Sequence, residues 1–217
     1  QMGFYAMGSH DIVQGTNCPI QDEGNNIIAQ ACYQIAKEFD IEPYDEHTGK
    51  GVLRHVIGRI GQSGWMIILV TATEHLPHQE KWVEKLTERV PQVETIVHNV
   101  NGKRTNVILG PKNTVLYGDG TITDHIKDLR FTLSPHSFFQ VNPEQTTVLY
   151  DQALAYADLK GNETVIDAYC GTGTISLFLA HKAKHVIGIE IVEPAIINAR
   201  ENAQRNGYDN TEFIVAD

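Results

Sequence analysis

The chain has 217 residues, of which 41% are hydrophobic and 20% charged, a balance that fits one large or two small globular domains and excludes intrinsic disorder. Lys and Arg number 17 against 27 Asp and Glu, for a formal net charge of −10 and a pI of about 5.4, so bulk charge gives no nucleic-acid footprint. The apolar runs are too short to cross a bilayer, no leader pattern opens the chain, and Cys18, Cys32 and Cys170 are too few and too scattered for a disulfide framework, so a cytoplasmic protein without membrane contact is expected.

Residues 1–133 read as a mixed α/β domain. Ile27, Ile28, Ala31, Cys32, Ile35 and Ala36 form the stripe of one buried helix, with Asn25 and Asn26 as candidate caps. Val52 to Ile60 and Gly64 to Ala72 read as strands of a hairpin turning at Gly61-Gln62-Ser63. Trp82, Val83 and Leu86 mark a short helix stopped by Pro91. Short strands are expected at 93–100, 105–109, 115–117 and 129–133, with turns at Asn101-Gly102 and Gly118-Asp119-Gly120.

Residues 134–217 alternate between strand and helix. Asn142 is placed to cap a helix that opens on Pro143 and runs to Ala157. Strand 164–168, helix 174–182, strand 185–190, helix 194–206 and strand 211–215 follow, with Pro194 opening and Gly207 closing the last helix. Such alternation predicts parallel strands with crossover helices. Asp217 follows only the third strand of what should be a larger sheet, and Gln1 is not an initiator methionine, so the chain reads as a piece of a longer protein.

The segment TVIDAYCGTGTISLFLAHKAKHVIGIE, residues 164–190, carries the most chemistry. Gly171 and Gly173 are followed by Ser176, so the third glycine of a dinucleotide-binding loop is missing. Asp167 ends the first strand, where it would repel a pyrophosphate. A cofactor with a cationic amino-acid end and no phosphate suits this loop, and S-adenosylmethionine has both properties. Asp167, Glu190 and Asp217 each fall at the carboxyl end of a strand, where open α/β sheets bind ligands. Three such carboxylates without partners would be costly. An ammonium, a ribose diol and an exocyclic amine would satisfy them: Asp167 faces the methionine end or shapes the loop, Glu190 takes the diol, and Asp217 accepts from adenine.

SFFQVNPEQ at 137–145, IDAYCGTGT at 166–174 and VIGIE at 186–190 resemble the RNA (uracil-5)-methyltransferase family. GFYAMGSHDIV and LRHVIGR resemble the central domain of its bacterial 23S rRNA members. The resemblance implies a Rossmann-like class I methyltransferase fold, here with its first three strands only, preceded by a smaller central α/β domain with possible RNA contact. It implies S-adenosylmethionine as cofactor and RNA as partner, ribosomal rather than transfer RNA, with no protein partner indicated. Gln140, Tyr169, Gly171, Gly173, Thr174, Glu190 and Asp217 match positions that contact the methyl donor or line its pocket. Phe138 and Gln140 match positions near the target base, which the family flips out of the RNA. The bland alternative for Phe138 is a core aromatic under the helix that begins at Pro143.

In the family a cysteine thiolate adds to carbon 6 of uracil, the resulting enolate takes the methyl group at carbon 5, and a base then removes the carbon 5 proton. Both groups lie beyond the position of Asp217, so no catalytic residue is assigned here and the chain alone is expected to be inactive. Cys170 stands where the family has a cysteine packed near the cofactor, with no neighbouring base or cation in sequence to lower its pKa. Cys18 resembles the last ligand of an iron-sulfur cluster whose other ligands would precede residue 1, so a cluster is expected only in a longer protein. Two other readings compete. One is a methyltransferase acting on an exocyclic amine of a base. The other is a non-catalytic RNA-binding domain using Arg54, Arg59, Lys81, Lys85, Arg89, Lys103, Arg104 and Lys112.

Overall fold

The computed structural model describes residues 2–15 and 17–217, in two compact units, one up to Ile122 and one from Thr123 to Asp217. The first unit opens with a small antiparallel pair, β1 (Gly3–Tyr5) and β2 (Ile12–Gln14). Neither strand is expected from the sequence, because three-residue strands carry too little alternation to detect. Helix α1 (Glu23–Glu38) buries Ile28, Ala31, Cys32 and Ile35, as the stripe predicts, whereas Ile27, placed on the same stripe, is exposed. Its cap is Asp22, whose carboxylate accepts from the Gly24 N–H at 2.7 Å, not Asn25 or Asn26. Asn26 lies buried inside the first turn instead, accepting from the Cys18 N–H at 2.9 Å and donating to Glu23 at 3.0 Å.

A four-stranded sheet follows in the order β3 (Leu53–Ile60), β4 (Trp65–Thr71), β5 (Val93–Val100), β6 (Lys112–Tyr117), with α2 (Gln79–Arg89) between β4 and β5. The β3–β4 hairpin is as predicted, but β4 and β5 are parallel, so α2 is a crossover helix in a region read as hairpins. Ile67, Leu69 and Ile96 pack with the α1 stripe and with Trp82 and Leu86 of α2 into one core. Residues 105–109 form no strand. Two of their carbonyls go to a side chain, Asn101 donating to the Val107 and Ile108 oxygens at 2.6 and 3.0 Å, and just beyond them the Gly110 N–H donates to Asn99 at 2.8 Å. Two asparagines therefore replace the ladder that periodicity alone suggests.

The hairpin β7 (Ile122–Ile126) and β8 (Leu129–Leu133), whose first residue closes the first unit, opens the second; only β8 is predicted. Helix α3 (Pro143–Ala157) is capped by Asn142, which accepts from the Gln145 N–H at 3.1 Å. Then come β9 (Thr164–Asp167), α4 (Thr174–Ala180), β10 (His185–Glu190), α5 (Glu193–Arg205) and β11 (Thr211–Val215). All three strands are parallel, in the order β11-β10-β9, so their carboxyl ends share one edge. Among the described residues no helix is long and apolar enough to cross a membrane.

Candidate functional site

The loop between β9 and α4 is built on two left-handed glycines, Gly171 at φ +53° and Gly173 at φ +81°. Their surroundings differ. A Cβ on Gly173 would stand 3.1 Å from the Phe213 ring and 3.2 Å from Ala199, so this glycine lets the loop pack closely. A Cβ on Gly171 would meet nothing within 4 Å, so open space lies in front of it. The Gly173 N–H donates to the Cys170 carbonyl at 2.8 Å, closing the turn, and the Cys170 N–H donates to the Ile189 carbonyl at 3.0 Å, tying the loop to β10.

Glu190 ends β10 half-buried beside this turn. One carboxylate oxygen accepts from the Gly171 N–H at 3.2 Å and the other from the Val192 N–H at 3.0 Å. Asp167 accepts from the Ser176 hydroxyl at 2.6 Å. The premise that these carboxylates lack partners is thus corrected: each has one within the chain, and Asp217, two residues past β11, is exposed to water. Glu190 still has acceptor capacity left, since an ionised carboxylate offers about four lone-pair sites. Cys170 is buried between the two acids. Burial first, then the Asp167 and Glu190 charges, push its thiol up to about 12, which excludes it as a thiolate near neutral pH.

Tyr169 is 91% exposed at the same edge. The Thr174 hydroxyl shares a 2.9 Å hydrogen bond with Tyr150 of α3. Phe138 is 73% exposed, which overturns its reading as a core aromatic; Phe139 fills that role, 5.7 Å from the Phe131 ring. Gln140 is half-buried, and among the described residues its side chain makes no hydrogen bond to the glycine loop. The structure thus brings Asp167, Gly171, Gly173, Thr174 and Glu190 together around one loop, with Tyr169 beside them. Among the described residues it gives Gln140 and Phe138 no hydrogen bond to that loop.

Sequence reasoning misses the residues that hold this frame. Asn198, Asn202 and Asn206 recur every fourth position along one stripe of α5. Asn206 exchanges two hydrogen bonds with the Arg130 backbone, at 2.8 and 2.7 Å. Asn202, with no exposed surface, accepts from the Thr132 N–H at 2.9 Å and donates to the Thr172 carbonyl of the glycine loop at 3.1 Å. Asn198 donates to Ser137 at 3.1 Å, at the start of the segment carrying Phe138 and Gln140. The i, i+4, i+8 spacing was the available signal.

The candidate basic positions are largely neutralised. Arg54 is buried against Glu46 at 2.6 Å, Lys81 pairs with Glu84, Lys85 with Glu88, Arg89 with Glu38 and Lys112 with Glu74. Cys18 is half-buried, and among the described residues no three His, Cys, Asp or Glu side chains gather as metal ligands.

Residues 159–217 match the family model described as a methyltransferase domain. A solved tRNA (uracil-54, C5)-methyltransferase of Pyrococcus abyssi, in complex with S-adenosyl-L-homocysteine, superposes with a TM-score of 0.79 at 26% identity, over 95% of this chain and 50% of that one. The fold is that of a class I, S-adenosylmethionine-dependent methyltransferase. An uncharacterized RNA methyltransferase of Halalkalibacterium halodurans is 51% identical over 217 residues, 99% of this chain and 47% of the relative. Another, of Clostridium acetobutylicum, is 49% identical over 219 residues, again 47% of its length. The chain thus spans about half the length of the curated relatives it matches.

Proposed function

We propose that this chain supplies the methyl-donor site of an RNA methyltransferase that acts on carbon 5 of a uridine, and that S-adenosylmethionine binds in front of Gly171. The observation that carries this reading is the open left-handed Gly171 held by the Glu190 carboxylate, at the edge where this fold binds its cofactor. Glu190 would accept from the ribose hydroxyls with its remaining lone pairs, while Asp167, Tyr169, Gly173, Thr174, Gln140 and Asp217 shape or line the rest of the pocket. Bound S-adenosylmethionine supplies an electrophilic methyl group on a sulfonium. Two acidic side chains beside the loop suit a cationic ligand and disfavour a phosphate.

Uridine as acceptor rests on the Phe138 to Asn142 block and on the likeness to a tRNA uracil-C5 enzyme. Phe138, exposed at the surface, is free to meet a base. Ribosomal RNA is the preferred target, because the segments at 3–13 and 53–59 resemble 23S rRNA members of that family. The nucleophilic cysteine and the base belong to the part of the longer protein that follows Asp217, and the 217 residues alone bind the donor without turnover.

Calorimetric titration of the chain with S-adenosylmethionine tests the site. Glu190→Ala should weaken binding at least tenfold, since each lost charge-assisted hydrogen bond is worth about 1.5–3 kcal/mol; unchanged affinity would remove the assigned role. For the acceptor, the longer protein should release tritium from RNA carrying uridine tritiated at carbon 5. Methyl incorporation without that release would instead indicate an exocyclic amine.

A further inference from the structure

A second concave site lies wholly within the first unit, a cavity of about 430 Å³ bordered by β1, the turn at 8–10, β3 and the 105–108 loop. That volume falls in the range of about 300–1,000 Å³ typical of small-ligand pockets. Tyr5 makes edge-on contacts with His10 and His55, at centroid distances of 5.3 and 6.1 Å and interplanar angles of 77° and 90°. None of these three rings is stacked flat on another.

The interior is electrically balanced. Arg54 gives two hydrogen bonds to one Glu46 oxygen, at 3.2 and 2.6 Å, and two more to the Asn101 and Lys103 carbonyls, at 2.7 and 2.9 Å. Its guanidinium is therefore spent on joining the walls, and an anion entering the cavity would meet no unpaired cation from it. Burial, followed by the nearby Arg54 charge, depresses the pKa of His55, so its imidazole is neutral and carries one donor and one acceptor. The Asn106 amide is exposed at the mouth and makes no hydrogen bond among the described residues. On the loop that forms this wall, Lys103 and Arg104 are exposed, and among the described residues neither joins an ion pair.

A neutral pocket with aromatic side chains and donor and acceptor edges, followed on the same loop by two exposed cations, suits a neutral heteroaromatic ring joined to a phosphate chain. We propose that this cavity takes an unpaired nucleobase of the RNA, other than the base that receives the methyl group, with Lys103 and Arg104 against the flanking phosphates. The assignment rests on the RNA reading above and adds a contact by which the first unit selects or orients the RNA. Aromatic stacking of this kind tolerates many base identities, and hydrogen bonds at the edge add preference.

The test uses fluorescence polarisation of the full chain with a labelled single-stranded oligouridylate and with the same oligomer made abasic. Tyr5 is 43% exposed, so Tyr5→Ala should keep the circular dichroism of the parent. It should weaken oligouridylate binding about tenfold, with Tyr5→Phe restoring it and the abasic oligomer indifferent to either change. Arg104→Ala should lower the slope of log affinity against log salt by about 0.7. Photo-crosslinking of an oligomer containing 4-thiouridine should label peptides holding Tyr5, His10 or Ile108.

Oligouridylate affinity unchanged in Tyr5→Ala, with crosslinks confined to other peptides, overturns the pocket while leaving the donor site to stand on its own calorimetry. Absence of any oligomer binding overturns the pocket together with the RNA reading. Saturation of the cavity by free uridine monophosphate without competition from the oligomer assigns it to a small metabolite and overturns the proposal as well.

Discussion

Replacing Asn202 by alanine tests whether the α5 asparagines hold the glycine loop. The side chain has no exposed surface, and its two hydrogen bonds serve backbone groups of different segments, the Thr132 N–H at 2.9 Å and the Thr172 carbonyl at 3.1 Å. Alanine leaves one donor and one acceptor buried without partners, each at a cost of about 1–3 kcal/mol. The sum, roughly 2–6 kcal/mol, is a large fraction of the roughly 5–15 kcal/mol that holds a typical domain together. Urea unfolding followed by far-ultraviolet circular dichroism should show a midpoint lowered by about 1 M or more, taking a slope of about 1–3 kcal/mol/M. Hydrogen exchange at the Thr132 amide should accelerate at least about 30-fold, the kinetic counterpart of roughly 2 kcal/mol. Asn206→Ala is the control, because the three hydrogen bonds it removes, two to the Arg130 backbone and one to the Asn202 carbonyl, lie nearer the surface, where water replaces them, and it should cost less than about 1 kcal/mol. Equal costs for the two variants, or a protected Thr132 amide in Asn202→Ala, would refute the argument from burial.

The two loop glycines should separate stability from ligand binding. Gly173→Ala combines a φ of +81° with contacts of 3.1 and 3.2 Å to Phe213 and Ala199, and should lower thermal stability by more than the roughly 1–2 kcal/mol of the left-handed backbone alone. Gly171→Ala places its methyl group in open space, and its larger effect should be on S-adenosylmethionine affinity in the same calorimetric assay. The first unit should lose stability in mild acid. Burial depresses the pKa values of His55 and His98 below the ordinary 6.5. The unfolded chain therefore takes up protons first, and their contribution, complete above pH 6.5, is lost as the pH falls from there through the folded values. Unfolding monitored by the tryptophans, both of which lie in this unit, should show that fall, and a flat profile between pH 7 and 5 would contradict it.

Which features were legible in the sequence follows from how far apart in the chain their causes lie. Helix α1 declares itself through a stripe of six apolar residues, and the β9-α4-β10 unit through a glycine turn between two apolar runs, all within one short window. The parallel pairing of β4 with β5 was missed because α2 is only 11 residues long and its flanking strands also read as hairpin arms. The false strand at 105–109 arose because periodicity registers side chains, whereas Asn101, on the preceding segment, claims the Val107 and Ile108 carbonyls, and the Gly110 N–H just beyond goes to Asn99. The role of Asn202 is hidden for the same reason on a larger scale. Its partners stand 70 and 30 positions away, and the fourfold spacing of Asn198, Asn202 and Asn206 marks a polar stripe without showing what it reaches. Phe138 and Phe139 are adjacent and chemically identical, so only packing decides which faces the core and which faces water.

The case for a bound cofactor changes in kind once the carboxylates are seen in place. Read along the chain, Asp167, Glu190 and Asp217 argue for a ligand because three unpartnered acids would be costly. In the structure Ser176 serves Asp167 and two backbone N–H groups serve Glu190, so no unmet charge on either compels a ligand. What replaces that argument is preorganisation. The same two hydrogen bonds that relieve Glu190 also hold its carboxylate in one orientation beside the open face of Gly171, so little side-chain entropy remains to be lost on binding. Glu190→Ala then removes both the ligand's acceptor and the tether of the loop, whereas Glu190→Gln keeps one acceptor oxygen but sets an amide N–H against a backbone N–H. Loss of affinity in both variants, with faster hydrogen exchange at Gly171, is the pattern expected of a residue that holds the loop and the ligand together. Loss in Glu190→Ala alone, with Gly171 still protected, would leave Glu190 as a ligand contact and transfer the shaping of the loop to Gly173 and Asn202.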